Sequence, residues 1–201
     1  MVYVGTGRYL GASDLGDPMS LTPPEPFAYQ QTIYAIKETN TDLGDARAPA
    51  ANLVQQVMGG TVTARTVSNN EVDYNSKNGW YLDLNPANTS PGERVNLDMT
   101  LLGGVLTVLG NQPNSQVCSE GANGFAYKLD YRSGSAIAGA GGLIGGQVSS
   151  SALVGAVFYR TTSGAVIGQL RTSGGGSIKS DIPQGSGSVS GQRVSWRELL
   201  Q

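Results

Sequence analysis

The sequence predicts an all-β protein, and three observations predict it. The composition has 29 Gly, 9 Pro and only 14% charged residues, which leaves little material for the polar side of helices. Apolar residues alternate with polar ones over short segments, as in Trp80 to Leu84, and this period of two is typical of a half-buried strand. Glycine, proline and asparagine interrupt these segments at short intervals and favour turns between strands.

The most regular stretch predicts a small antiparallel meander. Trp80 to Leu84 is its first strand, and the loop at 85–92 cannot extend a sheet because prolines in it lack the amide donor. Arg94 to Leu102 resumes an extended pattern. Gly103-Gly104 then supplies two residues that tolerate positive φ, and Val105 to Leu109 is β-branched or aliphatic again.

Three pairs of strands share one pattern, in which a strand and a connection are followed by a second strand that ends near a charged residue. The pairs are Val2 to Leu10 with Gln31 to Lys37, Gly104 to Asn111 with Gly124 to Tyr131, and Gly155 to Arg160 with Ala165 to Arg171. Such pairs suit the middle strands of four-stranded blades, so the sequence predicts a partial, quinoprotein-like β-propeller of about two to three blades. Trp80 to Leu84 is then an outer strand of the first blade, and Arg94 to Leu102 is the innermost strand of the second.

The segment 39–74 follows a different pattern and is interpreted as an insertion within a blade. Ala46 to Gly60 has apolar residues at spacings of 1, 3 and 4 before two glycines, so a short helix is compatible with it. Thr61 to Val67 alternates like a strand or one arm of a hairpin.

The last third of the chain is less regular. Gly139 to Gly146 has little side-chain volume and is interpreted as a connection, and Val148 to Val154 is expected to open the last blade. Arg193 to Leu200 fits a closing strand, but Ser195 and Glu198 also fit the capping box of a helix, and both alternatives stay open.

Composition also bears on partners and location. The formal charge of -2 gives no basic patch for phosphates, which argues against nucleic acid. No apolar run reaches the roughly 18 residues that predict a transmembrane helix. Val2-Tyr3-Val4 already reads as a strand, so no signal peptide is predicted within the chain. The single cysteine, Cys118, permits no internal disulfide and is interpreted as an ordinary thiol.

The side chains offer little for catalysis. Histidine is absent from the sequence, which excludes the usual Ser-His-Asp and Cys-His sites and histidine-bound zinc. The G-x-G at Gly5 to Gly7 is followed by no helix pattern, so it is interpreted as a strand end rather than a phosphate cradle.

Three acidic or amide clusters resemble calcium loops only weakly, and turn formation is the preferred interpretation of each. They are Asp14 with Asp17, Asn40 with Asp42 and Asp45, and Asp73 with Asn75 and Asn78. Glu93-Arg94 beside Asp98 is interpreted as a surface ion pair, with a rim site as the alternative. No catalytic, cofactor-binding or metal-binding residue is assigned.

Several short motifs, taken in their order along the chain, resemble one family over most of its length. They are Gly5 to Leu10, Tyr34-Ala35-Ile36, Gly79 to Leu84, Gly92 to Val95, Gly103 to Leu106, Cys118 to Gly121 before Phe125 to Asp130, Ser177 to Ser180, and Val194 to Leu199. This series is similar to the C-terminal β-propeller domain of the PilC/PilY-type type IV pilus biogenesis proteins, the tip-associated adhesins of Gram-negative bacteria.

The resemblance implies that residues 1–201 are the C-terminal part of a propeller, without the earlier blades and the long N-terminal region of the family. It implies a non-enzymatic role in pilus biogenesis, tip adhesion and twitching motility, at the cell surface and associated with the outer membrane after export through a signal peptide that this chain lacks. Its implied partners are minor pilins, host surface receptors and the missing upstream blades. Calcium is implied for the family, but no stretch here matches its aspartate-rich loop, and Met99 stands where the family often has proline.

Two alternatives to this function remain. A quinoprotein-like dehydrogenase shares the strand pattern of the first pair, but it needs a quinone cofactor, a calcium shell and commonly an adjacent cysteine pair. A generic scaffold propeller is the other alternative.

Overall fold

The computed structural model of the chain describes residues 1–7, 30–40, 42–86, 92–114 and 122–183. These residues form thirteen strands and one turn of 3-10 helix at Pro49–Ala51. The strands are β1 Val2–Gly5, β2 Thr32–Ile36, β3 Leu53–Gln56, β4 Met58–Thr61, β5 Ala64–Val67, β6 Gly79–Asp83, β7 Thr100–Leu102, β8 Val105–Pro113, β9 Ala122–Asp130, β10 Leu143–Ser149, β11 Leu153–Arg160, β12 Val166–Thr172 and β13 Ser177–Ile182. The all-β prediction is confirmed.

The strands form three sheets in the described residues. The first sheet has the order β1-β2-β6-β3, the second β4-β5-β10-β9-β8-β7, and the third β11-β12-β13. Neighbours are antiparallel except β3 and β6, which are parallel. The three predicted strand pairs are present as β1 with β2, β8 with β9, and β11 with β12. Only the first sheet has four strands, and the number of propeller blades stays a prediction.

The second sheet lies between the other two. One of its faces packs on the first sheet through the largest core cluster, where Trp80 and Leu82 are buried with Phe125. Its other face packs on the third sheet, where Leu109 is buried with Leu170. Because both faces are covered, β8 is buried almost without interruption and shows no alternation.

Trp80 is fully buried, as the strand pattern predicts. It belongs to the core between the first and second sheets, and its Nε1 donates a hydrogen bond to the carbonyl oxygen of Tyr131 at 3.4 Å. The Gly103-Gly104 turn is also confirmed. Leu102 pairs with Val105, and both glycines have positive φ, at 60° and 80°, as a two-residue hairpin loop requires.

The short helix that the spacing within Ala46 to Gly60 left open is not formed over most of this segment. Apart from the turn at Pro49–Ala51, the segment contains β3 and β4. Val54 packs against the main core and Gln56 is fully buried, whereas Val57 is 56% exposed. The apolar spacing therefore arises from two strands that enter different sheets, and sheet pairing overrides the local helical period.

This segment also changes the expected strand order. β3 adds to the open side of β6, so Trp80 lies in an inner strand, and the prediction of an outer strand there is wrong. In the predicted strand Arg94 to Leu102, only Thr100–Leu102 is a strand, and Arg94 forms an isolated bridge to Asn111.

The glycine-rich stretch Gly139 to Gly146 is only partly a connection, because β10 begins at Leu143. A Cβ atom at Gly145 would lie 2.0 Å from the carbonyl oxygen of Ala126, so glycine is needed there for close packing of strands. The strand expected at Val148 to Val154 is also wrong, since β10 ends at Ser149 and β11 begins at Leu153. The predictions for Arg8 to Leu10, Cys118 and Arg193 to Leu200 lie outside the described residues.

Candidate functional site

The face of the first sheet that points away from the second sheet carries a polar and aromatic patch. Thr32 pairs with Asp83 across β2 and β6, and Tyr34 pairs with Tyr81 in the same register. The two tyrosine rings have their centroids 6.0 Å apart. We call these four residues together with Arg47 the outer patch.

Arg47 connects the members of the outer patch. Its Nε donates to the hydroxyl of Tyr34 at 2.8 Å, and its Nη1 donates to Oδ2 of Asp83 at 3.1 Å. Its Nη2 donates to Oδ1 of Asp83, and also to Oγ1 of Thr32 at 2.6 Å. The guanidinium carbon lies 4.7 Å from the centroid of the Tyr81 ring. The hydrogen bond with Asp83 raises the pKa of Arg47 above its already high value, so the guanidinium is cationic at any physiological pH.

The loop that carries Arg47 is held by one of the acidic clusters. Oδ1 of Asp45 accepts a hydrogen bond from the backbone N–H of Arg47 at 2.8 Å, and Oδ1 of Asp42 accepts one from Gly44 at 2.8 Å. Such aspartate-to-backbone bonds are the normal way in which aspartate stabilises a turn. The second of the three clusters therefore acts in turn formation, and its effect is to position Arg47.

The cluster at Asp73 has the same character. Oδ1 of Asp73 accepts hydrogen bonds from both the backbone N–H and the side-chain amide of Asn75, each at 2.9 Å. The backbone bond is the main cause that lowers the pKa of Asp73. Within the described residues, no three histidine, cysteine or acidic side chains lie close enough to share a metal ion. Asp14 and Asp17 lie outside these residues.

A second polar group lies in the interior and consists of Arg65, Glu93 and Tyr127, which we call the inner cluster. The Tyr127 hydroxyl donates to Oε2 of Glu93 at 2.6 Å, and all three side chains are buried. The surface ion pair predicted for Glu93-Arg94 is therefore wrong, since Glu93 is 3% exposed and Arg94 is 5% exposed. Asp98 alone of the three predicted residues is exposed.

Burial dominates the titration of the inner cluster. It raises the pKa of Glu93 to about 8, although the bond from Tyr127 and the charge of Arg65 act in the opposite direction. Burial, followed by the nearby Glu93, raises the pKa of Tyr127 well above its usual value. Oε1 of Glu93 and Nε of Arg65 have no hydrogen-bond partner among the described residues. With this pKa, the carboxyl group of Glu93 is mainly neutral at neutral pH.

Sequence reasoning missed most of these residues. Tyr34 and Tyr81 each lie at the centre of a strand on its polar face. Aromatic residues at these positions are the signal in the sequence from which the outer patch could have been found. Arg47, Arg65 and Tyr127 come from separate segments, and nothing in the local sequence brings them to their partners.

No family model matches the chain. Within the described residues, no helix has the length and apolar character needed to cross a membrane.

Curated relatives carry the name type IV pilus biogenesis factor. PilY1 of Pseudomonas aeruginosa is 31% identical over an alignment of 150 positions, which covers 65% of this chain and 12% of that protein. A PilY1 homologue of Xylella fastidiosa is 26% identical over an alignment of 212 positions, which covers all of this chain and 16% of that protein. The chain therefore spans less than a fifth of the length of these relatives.

A solved structure supports the same relationship at the level of the fold. The crystal structure of the Pseudomonas aeruginosa PilY1 C-terminal domain matches with a TM-score of 0.59 at 21% identity, over 91% of this chain and 41% of that one. Sequence and fold agree: the chain is a homologue of the PilY1-type type IV pilus biogenesis factors and resembles part of their C-terminal domain in fold.

Proposed function

We propose that this chain is a non-enzymatic interaction module of a type IV pilus biogenesis protein, and that it supports pilus assembly, tip adhesion and twitching motility. The single observation that carries the proposal is the 31% identity to PilY1 over 150 residues. The proposed location is the cell surface, at the pilus tip and associated with the outer membrane. The proposed partners are minor pilins, host surface receptors and further sheets of the same propeller.

The outer patch is the surface through which this module would contact a partner. Tyrosine and arginine are enriched at the centres of protein interfaces because they bury a large area and also form hydrogen bonds. The patch presents both residue types on a regular sheet, with the Arg47 side chain 39% exposed and held by its neighbours. A rigid, preorganised side chain loses little conformational entropy when a partner binds.

The described chemistry favours this role over the alternative of a quinoprotein-like dehydrogenase. The carboxylates of the outer patch and of the turns are engaged by Arg47, Asn75 and backbone amides. The buried Glu93 accepts a hydrogen bond from Tyr127. The proposal assigns no cofactor to this segment.

The test is made in the bacterium that encodes the chain. Replacing both Arg47 and Tyr81 by alanine is expected to reduce the pili sheared from the cell surface and the diameter of the twitching zone. The matched control is Lys179→Ala, because Lys179 also forms an ion pair but its side chain is 64% exposed and lies on β13 of the third sheet.

Protein level and melting temperature are measured for every variant, so that loss of folding is separated from loss of binding. An in-frame deletion of the whole coding region that leaves surface pili and twitching unchanged contradicts the proposed function. Unchanged pili in the Arg47 and Tyr81 double variant alone contradict only the role of the outer patch.

A further inference from the structure

A groove of about 720 Å³ lies between the open edge of β1 and the segment that leads into β7. Tyr3, Val4 and Gly5 form one wall. The residues from Val95 to Met99, together with Leu101, form the other wall. β1 is the edge strand of the first sheet and β7 is the edge strand of the second, so two sheet edges flank the same groove.

The backbone of β1 has hydrogen-bonding groups that face this groove. The N–H of Thr6 donates to the carbonyl of Thr32 at 3.0 Å, which fixes the alternation along the strand. Val2 and Val4 therefore direct their backbone groups towards β2, and Tyr3 and Gly5 direct theirs to the open side. Within the described residues, neither Tyr3 nor Gly5 has a backbone partner on that side.

The opposite wall touches β1 at one end only. The N–H of Val95 donates to the carbonyl of Thr6 at 3.0 Å, and the side chain of Val95 packs against Gly5. Beyond this point, no hydrogen bond joins β1 to the segment from Asn96 to Met99 in the described part of the chain. The groove thus begins at a closed end and lies along the open edge of a four-residue strand, which is about 13 Å at 3.3 Å per residue.

The side chains that line the groove specify the chemistry of an occupant. Val4 is 43% exposed and Leu101 is 47% exposed, which provides apolar surface on both walls. Asp98 is exposed, and among the described residues that line the groove it is the charged one, with neither lysine nor arginine beside it. An occupant with apolar side chains and one positive charge would complement these walls.

We propose that this groove binds an extended peptide segment of another protein, which adds to β1 as a fifth strand of the first sheet and places a lysine or arginine against Asp98. Open strand edges are templates for such addition, in which main-chain hydrogen bonds give affinity and alternate side chains give selectivity. The groove shares no residue with the outer patch, although Val4 in its wall pairs with Tyr34 across β1 and β2. Its test measures peptide binding to the purified chain and requires no pili, so the two proposals can fail independently.

The test measures binding of a fluorescent peptide, acetyl-Thr-Val-Lys-Val-Thr-Val, to the purified 201-residue chain by polarisation. Saturable binding is expected. The same peptide with N-methyl groups on alternate residues is expected to bind at least about tenfold more weakly, because it cannot donate the ladder hydrogen bonds. A peptide that binds equally well after methylation, or that does not bind at about 1 mM, overturns the proposal.

A charge exchange tests the position of Asp98. Asp98→Lys is expected to weaken binding of the lysine peptide about fivefold, as for an exposed ion pair. A peptide that carries glutamate instead of lysine is expected to bind this variant with the original affinity. Val157→Lys is the matched control, since Val157 is 62% exposed on β11, the edge strand of the third sheet, and its replacement should leave the affinity unchanged.

Three other outcomes overturn the proposal. Equal effects of Asp98→Lys and Val157→Lys show that the peptide does not lie in the groove. Light scattering could instead show that the chain forms dimers, that Asp98→Lys abolishes them, and that the peptide does not bind. That result shows that a second copy of the chain occupies the groove. A longer form of the same protein that no longer binds the peptide shows that its own polypeptide fills the groove.

Discussion

The outer patch and the inner cluster contain the same three chemical groups in two environments. Each has an arginine, a carboxylate and tyrosine: Arg47, Asp83 and Tyr34 on the surface, and Arg65, Glu93 and Tyr127 in the interior. On the surface, Arg47 donates directly to the carboxylate and to the hydroxyl. In the interior, the tyrosine donates to the carboxyl and burial outweighs the arginine in setting the pKa. The comparison teaches that burial, rather than the residue types present, raises the pKa of the carboxyl group of Glu93.

The largest loss of stability from a single substitution is expected at Trp80, which packs between the first and second sheets. Trp80→Ala should lower the free energy of unfolding by about 3 to 5 kcal/mol, as for other large core truncations, because Trp80 is fully buried between the first and second sheets. Urea denaturation measures this loss, provided that the m-value of the variant equals that of the parent protein. A midpoint equal to that of the parent protein would contradict the placement of Trp80, and with it the separation of an inner from an outer face.

The pH dependence of stability tests the protonation of the buried Glu93. The folded pKa of Glu93 is raised to about 8, so its contribution to stability is fully present below its unfolded value of 4.5 and is lost as the pH rises towards 8. The loss approaches about 1.4 kcal/mol per pH unit within that window. Denaturant midpoints between pH 4.5 and 8 measure this loss.

Glu93→Gln should remove most of that slope and should be more stable than the parent at pH 8, because glutamine stays neutral. Glu71→Gln is the control, since Glu71 is exposed. A parent protein whose stability rises from pH 5 to 8 would show instead that Glu93 is ionised and paired with Arg65.

A smaller effect is expected when the tyrosine hydroxyls are removed. Tyr127→Phe deprives the buried Glu93 of its bond to Tyr127 and should cost about 1 to 3 kcal/mol, the range for leaving a buried polar group unsatisfied. Tyr34→Phe removes a hydroxyl that accepts from Arg47 at the surface, where water replaces it, and should cost less than about 1 kcal/mol. Thermal unfolding of both variants tests the difference, and equal costs would argue against the assigned exposures.

The smallest effect is expected from the surface ion pair. A double-mutant cycle with Arg47→Ala and Asp83→Ala should give a coupling energy of about 1 kcal/mol or less, because both side chains are partly exposed to solvent. The coupling should fall between about 0.05 and 1 M NaCl, since salt screens exposed charges. A coupling energy that does not change with salt concentration would mean that a partner covers the patch. Light scattering of the same samples would detect such an association.

The sequence by itself determined the strand content and most local pairings. The strand at Trp80 to Leu84 and the turn at Gly103-Gly104 depend on neighbouring residues only. Short stretches of sequence are therefore enough to predict both. The burial of Trp80 follows from the same alternation. The resemblance to the PilC/PilY-type proteins was likewise readable in the order of short motifs, and the comparisons confirm that relationship.

Only the tertiary structure decided where strands from distant segments meet. β3 could not be recognised as a strand from its own apolar spacing, because its partner β6 is more than twenty residues away and pairs with it in parallel. Glu93 looked like a surface acid because Arg94 and Asp98 are near in sequence, yet the residue that bonds it is Tyr127 on another strand. Burial depends on all the sheets together. The pKa of Glu93 is therefore raised only once the sheets have packed over its side chain.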